Sequence, residues 1–104
     1  MFEFVENDTL PILYASLTED DGVTPIGLSG YTITLHIGYT TPLVKDATIT
    51  DLNSGQFSFV WVAGDLRVGT WAAEIQIISP EGKKTVQKSI DNVPLRFIVA
   101  KEIA

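Results

Sequence analysis

The chain has 104 residues, 45% of them apolar and 19% charged, and it contains no cysteine. That is a single domain, 1–104, apolar enough for a packed core and too short for two, which argues against disorder and rules out a disulfide framework or thiolate metal site. Thirteen acidic against seven basic residues leave a net charge of −6, which repels phosphate backbones and argues against a nucleic-acid partner.

In chain order the dominant signal is alternation with period two, the mark of half-buried strands. The first segment, Met1-Phe2-Glu3-Phe4-Val5-Glu6, lacks the positive, long-apolar character of a signal peptide, so synthesis in the cytoplasm is expected. Nothing approaches the ~20 apolar residues of a membrane span, and no membrane partner is expected. Phe2-Glu3-Phe4-Val5 is read either as an ordinary first strand or as a contact with a neighbouring protein. A second strand is expected near 9–18, ending at the turn residues Asp20-Asp21-Gly22.

After Leu28-Ser29-Gly30, the third strand (30–38) puts Tyr31, Ile33, Leu35 and Ile37 on one face and Thr32, Thr34 and His36 on the other. Asp51-Leu52-Asn53-Ser54-Gly55-Gln56 predicts a hairpin joining 43–51 to 56–62. There Phe57, Phe59 and Trp61 point inward, with Ser58 and Val60 between them. A single helical turn is expected near Ala63–Val68. Strand 70–79 then directs Trp71, Ala73, Ile75 and Ile77 inward, and a hairpin around Pro80 and Gly82 leads to 83–90. Leu95, Phe97 and Val99 alternate inward in the last strand, 94–101. Short strands at this spacing predict an all-β fold, a sandwich of about seven to eight antiparallel strands or a small barrel. Placing Trp61 and Trp71 inward predicts that truncating either to Ala costs about 3–5 kcal/mol.

The residues that could carry chemistry are few. His36 is the single histidine, mid-strand among threonines, and a Ser/His/Asp triad or a zinc site needs partners that the sequence does not group with it. Glu19-Asp20-Asp21-Gly22 is the densest acidic run, but adjacent carboxylates lack the alternate spacing of a calcium loop. Asp65 stands apart from other acids, and no motif points to a glycosidase carboxylate pair. Lys83, Lys84 and Lys88 sit beside a turn and read as a solvated edge. Tyr14, Tyr39, Phe2 and Phe4 are the aromatics available for stacking on sugars or anchoring an interface. The expectation is a non-enzymatic domain, with no catalytic, cofactor or metal residues assigned and its binding residues unknown.

Gly69-Thr70-Trp71-Ala72-Ala73 resembles the Gly-x-Tyr-x-Cys segment of immunoglobulin domains, with Trp71 in the Tyr position and Ala73 in the Cys position. Asp8-Thr9-Leu10-Pro11, Leu13 to Thr18, Asp20-Asp21-Gly22, Leu28 to Ile33, Ala47 to Asp51, Ser54 to Phe57, Ala63-Gly64-Asp65 and Pro80 to Lys83 extend the likeness over roughly 7–90. Read together, these stretches resemble the immunoglobulin-like N-terminal domain of phage baseplate upper proteins and related short tail proteins. The resemblance implies an immunoglobulin-like β-sandwich located in the virion. It would act as a tail or baseplate adaptor, docking on other virion proteins or on itself as a homo-oligomer. It supplies no site residue. A carbohydrate- or receptor-binding adhesion module, with a host surface glycan as ligand, and a capsid decoration protein are the alternatives. The chain is either a whole small protein or an excised domain.

Overall fold

A computed structural model describes residues 2–9, 12–19, 23–90 and 93–103. Leu10-Pro11 and the expected turn Asp20-Asp21-Gly22 lie outside the described residues. The fold is all-β, with eleven strands and no helix among the described residues. These are β1 (Phe2–Val5), β2 (Leu13–Ser16), β3 (Thr32–Ile37), β4 (Leu43–Asp46), β5 (Thr48–Asp51), β6 (Gln56–Phe59), β7 (Gly69–Ile78), β8 (Lys84–Gln87), β9 (Ser89–Ile90), β10 (Val93–Pro94) and β11 (Arg96–Ala100).

Two sheets share one core. The larger runs β1-β11-β7-β3-β4, with β8 beside the far half of β7, and the smaller runs β2-β6-β5. Neither closes into a barrel. β9 and β10 form a two-stranded excursion between β8 and β11. The inward positions expected from alternation are buried: Ile33, Leu35 and Ile37; Phe57, Phe59 and Trp61; Ala73, Ile75 and Ile77; Leu95, Phe97 and Val99. Tyr31 and Trp71 depart from this pattern, each only half-buried against the core.

Several expectations change. The strands number eleven, not seven or eight, and they are not all antiparallel, because β1 runs parallel to β11 with Phe4 opposite Val99. That pairing buries Phe4 and makes the N-terminal segment an ordinary strand of the large sheet. The expected strand 43–51 breaks at Ala47. Its N–H donates to the Ile33 carbonyl at 3.0 Å, completing the ladder to β3. The next residues then cross to pair with β6 in the other sheet. A continuous strand cannot serve both sheets, so the break is where the chain changes layer.

Ser58, expected outward, is buried because β6 is the central strand of its sheet. Tyr14 and Thr48 stand opposite it on either side and cover it. The helical turn expected at 63–68 is a non-helical loop. Apolar Leu66 enters the core, and the carboxylate and main chain of Asp65 hold the loop's shape.

Candidate functional site

The densest set of specific contacts surrounds that loop. Asp65 Oδ2 accepts a hydrogen bond from the Val62 N–H at 2.9 Å, while the Asp65 N–H donates to the Val62 carbonyl at 3.1 Å. Lys45, reaching from β4, pairs with the same carboxylate at 2.6 Å, both side chains being mostly shielded from water. The acid that stood alone in sequence is therefore partnered in space.

From the end of β3, Tyr39 inserts into the cluster and is buried. Its hydroxyl donates to the Asp65 carbonyl at 2.6 Å and accepts from the Arg67 N–H at 3.1 Å. The Arg67 guanidinium lies 4.6 Å from the Tyr39 ring centroid, a cation–π geometry. Trp71 meets the Tyr39 ring edge-on at 4.8 Å, and its indole N–H donates to the Arg67 carbonyl at 2.7 Å. A Cβ on Gly69 would lie 3.0 Å from that indole, so the strand's entry needs glycine. Two aromatic side chains therefore hold one loop by its main chain. The groups of this cluster bond to one another, and the cluster is a structural pin.

Burial raises the Tyr39 hydroxyl above its ordinary pKa of 10.0. The hydrogen bond from the Arg67 backbone and the Arg67 charge pull the other way, and the Asp65 charge adds to the rise. The native state thus holds this proton more tightly than the unfolded chain does. Its contribution to stability is full below about pH 10 and is lost as pH climbs through the raised value. Tyr39→Phe leaves the Asp65 carbonyl and Arg67 N–H without this partner. It is expected to cost about 1–2 kcal/mol near neutrality. The gap between wild type and variant in urea unfolding should narrow in strong alkali; a constant gap would show that Tyr39 acts only through packing.

The other candidates are scattered. His36 lies between Val44 and Glu74 on neighbouring strands, and its Nε2 is 2.9 Å from Thr34 Oγ1. No group of three or more His, Asp or Glu is placed to hold a metal ion among the described residues. Lys83, Lys84 and Lys88 are exposed around the β7–β8 turn and beyond β8. Of the four aromatics available for a surface role, Tyr39 and Phe4 are buried and Phe2 packs on the core. Tyr14 alone of these is mainly exposed, at 63%.

Tyr14 marks a feature that alternation does not reveal. Beside β2 the two sheets part, leaving a cleft of about 630 Å3 between β2 and the β8–β9 segment, with Phe57, Ile75 and Ile77 in its wall. Its polar lining comes from hydroxyls and amides such as Ser16, Thr18 and Gln87, and no charged residue lines it among those described. No protein-family model matches the chain, and no curated protein matches it significantly.

Proposed function

We propose that the chain is an immunoglobulin-like β-sandwich that serves as a phage virion structural protein, a tail or baseplate adaptor docking through its sheet edges and loops. Strand order is the observation that carries the fold part of this reading. In immunoglobulin domains one sheet contains strands B, E and D and the other G, F and C, extended by C′ in variable types. Here β2-β6-β5 and β11-β7-β3-β4 follow the same two orders. The Trp71 contact supports it further. A tyrosine corner ties the start of strand F to main chain a few residues upstream, and the Trp71 indole makes an equivalent tie to Arg67. Donation is the half of the tyrosine's role that an indole can perform. Tyr39, from the end of β3, supplies both donation and acceptance.

The virion part rests on the sequence resemblance and on a rigid body with several separate edges, which suits docking. The carbohydrate-recognition alternative loses support with the burial of Tyr39 and Phe4, which leaves it Tyr14. Immunogold labelling of particles from the genome that carries the gene tests the proposal. Label is expected at the tail or its tip; label over the head favours a decoration protein, and particles without label overturn the virion reading.

A further inference from the structure

β2, which lines one side of the cleft, has its outer edge where an immunoglobulin sheet has one more strand. In the order A-B-E-D, strand A pairs with the outer edge of B. Here β1 pairs instead with β11, and β2 ends its sheet among the described residues. The ladder phase shows what that edge presents. Leu17 donates its N–H to the Gly55 carbonyl at 2.8 Å, and Ala15 and Leu13 follow in the same phase opposite Phe57 and Phe59. The intervening residues, Tyr14 and Ser16, therefore turn their N–H and C=O groups away from β6, toward the open side.

Charge sets this edge apart from the other edges of the two principal sheets, although the two-residue strands β9 and β10, Ser-Ile and Val-Pro, are uncharged as well. Edge strands are usually guarded by charged side chains, and here β1 carries Glu3, β4 Lys45 and Asp46, β5 Asp51, and β8 Lys84. β2 reads Leu-Tyr-Ala-Ser and carries none. In a chain of net charge −6, an uncharged edge above an uncharged cleft is a surface that a second copy can meet without burying like charges.

We propose that two copies of the chain associate about a two-fold axis by antiparallel pairing of β2 with β2. This rests on the strand order, and not on the virion assignment. With Ala15 on the axis, Tyr14 faces Ser16 of the second copy and Ser16 faces its Tyr14. Both pairs are of the hydrogen-bonded kind, giving about four main-chain bonds. Ala15 then meets its own copy in the close, non-hydrogen-bonded pair, where Cα atoms approach to roughly 4.5 Å and a small side chain fits best. β2 itself brings no carboxylate to the pairing, since the nearest described ones in the chain, Asp8 and Glu19, lie outside the strand on either side of it. The dimer joins the two small sheets into one and removes both open edges.

The test uses the full chain. Sedimentation from micromolar to millimolar concentration is expected to show a monomer–dimer equilibrium. In the double variant Y14K/S16K, which changes two exposed side chains, the dimer is lost while the unfolding midpoint at low concentration is kept. Because the chain has no cysteine, Ala15→Cys can form a disulfide only between copies. Mild oxidation should give one species at twice 11.4 kDa, and Val44→Cys on the β4 edge should not. A wild-type chain that stays monomeric to millimolar concentration overturns the proposal, and so does a dimer that survives Y14K/S16K but is broken by Val44→Lys. Titrated into such a monomer, an uncharged extended peptide or a neutral glycan that binds at the cleft would identify the occupant as that ligand and not a second copy. Absence of the protein from virions leaves the dimer prediction standing, so the two readings fail separately.

Discussion

Trp61→Ala is expected to destabilise the fold by about 3–5 kcal/mol, the range for emptying a large, fully buried aromatic site. Trp61 leaves the small sheet just after β6, yet its ring packs edge-on against Phe4 of β1 at 5.5 Å and Phe97 of β11 at 5.8 Å. Phe97 is itself fully buried and meets Phe2 and Phe4. The indole thus fastens the small sheet to the end of the large sheet where β1 runs parallel to β11. Its removal leaves a void lined by rigid rings, which relax less readily than flexible aliphatic side chains. Urea unfolding followed by far-UV circular dichroism measures the loss; a value below about 1 kcal/mol would mean that Trp61 is not a core residue. Trp71→Ala should cost less than Trp61→Ala, contrary to the equal losses that alternation suggests, because Trp71 is half-buried and acts mainly through the Arg67 carbonyl.

Gly55→Ala carries the second large effect, about 3 kcal/mol or more. Two separate penalties combine. Gly55 sits at φ 69°, a region that costs an L side chain roughly 1–2 kcal/mol. An added Cβ would also fall 2.5 Å from the Ile26 carbonyl oxygen and 2.6 Å from that of Leu17. Both are main-chain atoms, so neither can swing aside. Relief requires moving the strands, which puts at risk the bonds from Leu17 N–H to Gly55 O and from Ile26 N–H to Leu17 O. Gly64→Ala is the matched control, since Gly64 also has positive φ, at 92°, but nothing within 4 Å of an added Cβ. Comparing the two by thermal unfolding separates conformational cost from collision. Equal, small losses would mean that the Leu17–Ile26 crossing does not close tightly over Gly55.

Strand positions and most inward faces were legible in the sequence because alternation is a local property. A residue at i and its neighbour at i+2 share a face wherever the strand pairs. Ile33, Leu35 and Ile37 needed no tertiary knowledge. Ser58 did, because its burial comes from Tyr14 and Thr48 on flanking strands, and flanking strands are a fact of topology. The same holds for Tyr39. Nothing nearby in sequence marks it as the residue that fastens the 65–67 loop, since its partners lie 26 and 28 residues away. The edge position of β2 was invisible for a related reason: among the described residues, β1 joins the other sheet. A hydrophobic pattern specifies which face of β1 is buried but leaves its choice of partner open.

Length, composition and pattern by themselves determined an all-β fold with a core drawn from alternating Ile, Leu, Phe and Trp, in a chain without cysteine. Tertiary structure alone decided which strands are neighbours, where 43–51 breaks to change sheets, that β1 lies parallel to β11, and that β2 ends its sheet among the described residues. The division follows from the range of the forces involved. Burial of alternate side chains is encoded residue by residue along the strand. Pairing is a competition among distant segments for the same main-chain hydrogen bonds, resolved only when the whole chain packs.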